Sequence, residues 1–332
     1  MEAMIQARGL TRTFTTRKGR EHTELVAVDA VDIDVAEGEI VGFLGPNGAG
    51  KTTTLRMLTT LLRPTAGTAT IAGHDLASDP VGVRRSIGYV SQSGSTSPEA
   101  RAGEEVVDHG MLYGISREQA RRRGLELFSQ LDLEGLWERK PRAMSGGQRR
   151  RLDIAMGLIH DPNLVFLDEP TTGLDPQARA NLWRHITTLR NERGATIFLT
   201  THYLDEADAL CDRILIIDHG RIVAADTPDA LKRQVAGDLV ELQVVDGKHL
   251  QTVAAALAEL GTEVESDELA VRARVREAGR TLGRALRDLD AAGIELTGVE
   301  VRRPTLDDVF LSLTGRSLRE EGETGEDAEQ PT

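Results

Sequence analysis

The chain has 332 residues, with 40 Lys+Arg against 53 Asp+Glu, a formal net charge of −13 and a single cysteine, Cys211. That length suits about two domains of roughly 150 residues, and one cysteine excludes an intrachain disulfide and a four-thiolate zinc site, so a reducing compartment is expected. No apolar run approaches the roughly 18 residues of a membrane span, MEAMIQARGL lacks the apolar core of a signal peptide, and the acidic balance speaks against broad nucleic-acid binding.

The first 35 residues alternate in the manner of strands, as at Val31, Ile33 and Val35, and are broken by TTRKGREHTE, a polar stretch that reads as a loop over residues 15–24. EIVGFL then runs into a glycine-rich turn and a helical pattern with Leu55, Leu58, Leu61 and Leu62 on one face. Strand, glycine turn and helix open a mononucleotide-binding unit. GTATIAG and SIGYVSQ read as further strands, and residues 98–145 as an inserted helical subdomain in which Leu125, Phe128, Leu131 and Leu133 alternate with charge. LVFLDEP, ATIFLTTH and RILIID are short apolar strands spaced by helical segments, which indicates a mostly parallel sheet covered on both faces.

Past residue 237 the pattern changes. DLVELQVV, LQTVAAALAELG, LAVRARV, GRTLGRALRDLDAAG and IELTGVEVRR alternate strand and helix, with room for a short strand at TEVES and a closing helix near residues 305–313. This fits a small ferredoxin-like α+β domain. The expected organisation is an α/β mononucleotide-binding domain over residues 1–235, an accessory domain over 238–315 and a disordered acidic tail over 316–332; the last 14 residues hold six carboxylates.

Residues 45–52, GPNGAGKT, match G-x-x-x-x-G-K-[ST] between an expected strand and an expected helix. Gly45, Gly48 and Gly50 let successive N–H groups face one concavity, and the helix start adds its positive end. Lys51 supplies a charge for the β- and γ-phosphates, and the Thr52 hydroxyl can ligate magnesium. Pro46, Asn47, Ala49 and Thr53 complete the candidate phosphate loop. LVFLDEP adds two carboxylates at a strand end: Asp168, able to reach magnesium, and Glu169, where a general base would stand.

AMSGGQRRR, at residues 143–151, resembles the LSGGQ signature of ATP-binding cassette (ABC) ATPases, and further motifs of that family follow in order. Gln92 looks like the Q-loop glutamine, Gly173, Leu174 and Asp175 like the D-loop, His202 like the switch histidine, and Phe14 like the aromatic that stacks on adenine. The resemblance implies a P-loop NTPase fold that binds ATP and Mg2+, with Thr52, Gln92 and Asp168 around the ion. It also implies two cassettes packed head to tail, so that Ser145, Gly146, Gly147 and Gln148 of one chain meet the nucleotide held by the other. Glu169 would polarise the attacking water, and His202 would contact the γ-phosphate. Met144 stands where the signature has leucine, and Phe14 where tyrosine is commoner.

RRPTLDDVFLSLTG, at residues 302–315, resembles the C-terminal helix of export ATPases of the daunorubicin-resistance type. That branch implies an ATPase homodimer at the cytoplasmic face of the membrane beneath a separate six-helix permease, exporting an amphipathic drug or lipid, with no nucleic-acid partner. A soluble cassette ATPase acting on ribosomes or nucleic acid and an importer ATPase are the alternatives; one P-loop and no heptad array disfavour the first, and the C-terminal domain the second. The arginine groups at 121–123 and 149–151 read as solvated helix faces. His22, His74, His109, His160, His185, His219 and His249 show no metal-binding spacing and read as surface or turn residues.

Overall fold

Two long strands, β1 (Ala3–Lys18) and β2 (Glu21–Ala36), pair antiparallel from Ala3↔Ala36 out to Lys18↔Glu21. The polar stretch expected to be a loop is therefore mostly strand, with Thr15↔Glu24 and Thr16↔Thr23 in register. Cross-strand pairing can carry a polar sequence, so the pattern shows no hydrophobic alternation there. The computed structural model describes residues 3–18, 21–234, 237–276 and 278–315, without the side chains of residues 16–23; the expected acidic tail lies outside this range. The chain divides into two compact units, Met1–Pro228 and Asp229–Thr332.

In the first unit, β1 also pairs antiparallel with β4 (Ala66–Ile71), and a two-residue β5 (His74–Asp75) completes a sheet of order β2-β1-β4-β5. The second sheet is built on β3 (Ile40–Leu44), β6 (Ile87–Val90), β7 (Leu164–Asp168), β8 (Thr196–Thr201) and β9 (Arg213–Asp218), all parallel, with β10 (Arg221–Asp226) antiparallel at one edge. Its order is β10-β9-β3-β8-β7-β6. Strands β3, β7 and β8 are buried at every position, as mostly apolar runs in a covered parallel sheet should be, with Asp168, Thr196, Thr200 and Thr201 the buried polar exceptions. Phe43 and Phe166 each pack tilted against Phe198 in its core, with ring centroids 5.6 and 5.7 Å apart.

Helix α1 (Lys51–Leu58) follows β3, and α2 (Pro80–Ser86), capped by Asp79, precedes β6. The helical segment contains α3 (Ala102–Leu112), α4 (Arg117–Gln130) and α5 (Gly146–Leu158). Trp137 wedges between α3 and α4: a methyl at Gly103 would sit 2.1 Å from its ring, so only glycine admits the indole there. Helices α6 (Pro176–Arg193) and α7 (Leu204–Leu210) link β7 to β8 and β8 to β9, and α8 (Pro228–Gln234) follows β10.

The second unit runs β11 (Asp238–Val244), α9 (Leu250–Ala258), β12 (Gly261–Asp267), β13 (Ala270–Val275), α10 (Ala278–Ala291), β14 (Leu296–Arg302) and α11 (Leu306–Thr314). The β-α-β-β-α-β run with antiparallel order β12-β13-β11-β14 is ferredoxin-like, and the stretch containing TEVES is the strand β12. Alternate residues Val240, Leu242, Val271 and Ala273 pack against Val253, Leu257, Leu282 and Leu289 of the two helices. A capping box between Thr305 and Asp308 starts α11.

Two side-chain expectations are corrected. Arg150 is buried rather than solvated, because its guanidinium reaches three backbone carbonyls under the sheet edge. His185 is also buried, within α6 and 3.2 Å from Asp132, so it is neither a surface nor a turn residue, while His160 lies in the turn after α5, half-buried against the Tyr113 ring.

Candidate active site

The parallel strands end level with one another. Leu44 of β3 pairs with Thr201 of β8, Asp168 of β7 with Thr200, and Val90 of β6 with Leu167. Whatever follows each strand is therefore delivered to one edge, where open α/β sheets bind ligands: the glycine loop after β3, Gln92 after β6, Glu169 after β7 and His202 after β8.

The loop at residues 45–50 turns into α1 through Gly48 (φ 79°) and Gly50 (φ 108°). A side chain at Gly50 would be doubly barred, since an added methyl would also lie 2.6 Å from the Ala27 carbonyl oxygen. At Gly45 the same methyl would lie 2.3 Å from the Ile217 carbonyl oxygen. Asn47 and Gly48 are exposed, Pro46 and Ala49 buried, and Thr52 and Thr53 half-buried in the first turn of α1. Lys51 is 5% exposed, and its Nζ donates to the carbonyls of Gly45 (2.7 Å) and Pro46 (3.1 Å).

Glu169, 8% exposed, is the point on which the other motifs converge. Its Oε1 lies 3.5 Å from Lys51 Nζ. Its Oε2 accepts from Gln92 Nε2 (3.0 Å) and Thr172 Oγ1 (3.2 Å) and lies 3.3 Å from His202 Nδ1. Burial pushes this carboxyl up, but the His202 ring and the Lys51 charge outweigh it and hold it below the usual glutamate value. The backbone of Glu169 is left-handed (φ 43°), and its N–H is held by Thr200 Oγ1 at 3.0 Å. A non-glycine residue there costs energy and needs such support.

Asp168 has the opposite balance. Burial and the neighbouring Glu169 charge raise its carboxyl, against the hydrogen bond from Thr200 Oγ1 at 2.7 Å. Thr52 Oγ1 stands 3.5 Å from Asp168 Oδ1. Sequence reasoning missed Thr200, which binds Asp168 and the Glu169 backbone with one hydroxyl. Its signal was a threonine pair following the apolar run Ile197–Leu199, just ahead of His202.

The remaining candidates sit apart from this cluster or face outward. Ser145 caps α5, with Ser145 Oγ accepting from Gln148 N and Gln148 Oε1 from Ser145 N. Ser145 and Gly146 are exposed, Gly147 half-buried, and Met144 buried beneath them. Gly146 borders a groove of about 550 Å³ that Gln92, Thr172 and Gly173 also line. Asp175 caps α6 by accepting from Ala178 N at 2.8 Å. Phe14 lies half-buried on β1 opposite Leu25, with the Arg12 guanidinium 4.6 Å from its ring centroid. No helix among the described residues is long and apolar enough to cross a membrane.

A glycine cradle with a buried lysine, facing two carboxylates at the ends of parallel strands, defines a P-loop nucleotide-hydrolysing enzyme. The sequence pattern of the ABC transporter family matches residues 28–172, and that of the C-terminal domain of DrrA1-3-like ATP-binding proteins matches residues 227–314. The chain is 43% identical over 293 residues to the daunorubicin resistance ATP-binding protein DrrA3 of Streptomyces coeruleorubidus, covering 88% of this chain and 92% of that protein. It is also 43% identical over 305 residues to the doxorubicin resistance ATP-binding protein DrrA of Mycobacterium tuberculosis, covering 90% and 91%. Among solved structures, the dimeric ATP-binding cassette MJ0796 bound to ADP and Pi superimposes with a TM-score of 0.61 at 29% identity, covering 68% of this chain and 98% of that one. The chain belongs to the ATPase subunits of ABC transporters, in the branch that carries the DrrA-type C-terminal domain.

Proposed function

We propose that this chain hydrolyses ATP to drive export of an amphipathic drug or lipid, acting as a homodimer on the cytoplasmic face of the membrane beneath a separate six-helix permease. The observation that carries the reading is the convergence of Lys51, Gln92 and His202 on the Glu169 carboxylate. In this reading residues 1–235 form the ATPase domain, with a helical subdomain at about 98–145, and residues 238–315 the accessory domain.

Roles follow from the chemistry of each group. The N–H groups of residues 45–52 cradle the phosphates and Lys51 offsets their charge. Glu169, ionised and facing Lys51, accepts a proton from the attacking water, and His202 holds the γ-phosphate and steadies that carboxylate. Phe14 stacks on the adenine. Ser145, Gly146, Gly147 and Gln148, exposed or half-exposed at a helix start, and Asp175 meet the nucleotide of the partner subunit. The Thr52 hydroxyl, the Asp168 carboxylate and the Gln92 amide oxygen form an all-oxygen set that fits magnesium, which supplies positive charge to the β- and γ-phosphates when bound.

The drug-resistance names of the relatives above support an export cargo, and a Nod factor export ATP-binding protein of Cupriavidus pinatubonensis, 38% identical over 322 residues, points to a second cargo class. Selection of cargo therefore falls to the membrane subunit. The test is ATP-dependent daunorubicin uptake into inverted vesicles holding the chain with the permease of the neighbouring reading frame. Uptake that vanishes with Lys51→Ala is expected; hydrolysis without uptake of daunorubicin or any lipid probe would overturn the export reading.

A further inference from the structure

Helix α5, which begins at the signature, carries two buried charged side chains one turn apart. Arg150, 7% exposed, spans three carbonyls: Nε donates to Pro170 O at 2.8 Å, Nη2 to Asp168 O at 2.8 Å and Nη1 to Ser91 O at 2.5 Å. Asp153, 6% exposed, accepts from Ser95 N at 2.9 Å, with Ser95 Oγ at 3.4 Å. The Ser91 carbonyl and the Ser95 N–H flank Gln92, and the carbonyls of Asp168 and Pro170 flank Glu169. One helix thus grips the backbone on both sides of the two residues whose side chains meet at 3.0 Å.

We propose that Arg150 and Asp153 are positioning residues for hydrolysis, a clamp through which the signature helix sets Gln92 against Glu169. The inference rests on the proposed function and assigns the two residues a part in it. Burying charged groups is costly unless their hydrogen-bonding capacity is used, and both side chains spend theirs on the two site segments, Arg150 on main-chain carbonyls and Asp153 on the N–H and hydroxyl of Ser95. The planar guanidinium is suited to this, because a fixed fork can satisfy three carbonyls at set angles whereas an ammonium cannot. The grip around Asp168 and Pro170 also supports the left-handed backbone of Glu169. The same rigid helix presents Ser145 and Gly146 at its start, so the outward-facing signature and the inward-facing Gln92 are joined by one element.

The test is steady-state ATP hydrolysis by the full chain bearing Asp153→Ala, Asp153→Asn, Arg150→Lys, Gln92→Ala and the Asp153→Ala/Gln92→Ala pair. Asp153→Ala and Arg150→Lys should lower kcat by about tenfold or more with KM for ATP within about threefold, because the phosphate loop is untouched. Asp153→Asn keeps an oxygen that accepts from Ser95 N–H and should recover most of kcat. In the Gln92→Ala background, Asp153→Ala should cost less than about twofold, since its effect runs through Gln92. Effects that multiply, or an Asp153→Asn variant as slow as Asp153→Ala, would show a merely structural role and overturn the clamp. Should Asp153→Ala fail to fold, Arg150→Lys reads the clamp from its other side. A wild-type chain that does not hydrolyse ATP would sink the proposed function itself, whereas wild-type rates in both single variants would sink the clamp alone.

Discussion

Gln92 donates from Nε2 to Oε2 of Glu169 at 3.0 Å, joining the segment after β6 to the carboxylate that follows β7. The contact occupies one lone pair of a group that otherwise faces Lys51, His202 and Thr172. Replacing Glu169 with Gln keeps the shape but removes the charge and the capacity to take a proton. Hydrolysis should fall by 10²–10⁴-fold, the usual span for a lost general base, while nucleotide binding persists. ATP should then accumulate on a dimer visible by size-exclusion chromatography with light scattering; hydrolysis near the wild-type rate would remove Glu169 from the mechanism.

The phosphate loop makes a sharper demand on one backbone position. Gly50 combines φ 108° with 2.6 Å of clearance to the Ala27 carbonyl, so Gly50→Ala must displace either the loop or β2. ATP affinity should drop more than tenfold by equilibrium dialysis, while circular dichroism keeps the signature of both units. Unchanged affinity would mean that the loop tolerates a conformation L-residues rarely adopt.

Thr200 was not legible in the sequence as a functional residue, and its arrangement predicts its own defect. One hydroxyl serves Asp168 and the Glu169 N–H, so Thr200→Val strands a buried carboxylate oxygen and leaves that N–H only its 3.2 Å bond to the Thr200 carbonyl. Leaving such a group unpaired costs about 1–3 kcal/mol. Thr200→Val should lower both the melting temperature and kcat, with Thr200→Ser restoring most of each; equal losses in the two variants would point to packing of the methyl group instead of the hydroxyl.

What could be read from residues alone was what local pattern encodes. The apolar runs at β3, β7, β8 and β9 disclose a buried parallel sheet, and the spacing of GPNGAGKT, LDEP and TTH places their loops at one edge because parallel strands all end there. The outer part of β1 and β2 was hidden, since residues 15–18 and 21–24 pair across strands whose sequence is polar throughout. Arg150 was hidden for the converse reason: in RRR all three arginines look alike, and only the docking of α5 beneath Ser91 and Pro170 singles out one of them. Long-range burial of a polar residue has no local signature.

His160 provides a pH-dependent reading of the same helical region. Its Nε2 is 2.9 Å from the Ile87 carbonyl, its ring stacks on Tyr113 at 3.7 Å, and its Nδ1 is buried without a partner. Protonating Nδ1 would create a buried donor with no acceptor, and burial lowers this histidine to about 4. With the folded value below the unfolded one of about 6.5, the neutral ring contributes fully above pH 6.5, and that contribution is lost as pH falls toward 4. The loss is at most about 3 kcal/mol. His160→Phe keeps the stack and cannot titrate, so its unfolding free energy should decline less than that of the wild type between pH 7 and pH 4.5 in urea titrations. Parallel declines would show that the His160 ring stays accessible to protons, because a ring that charges freely in the folded state adds no slope of its own.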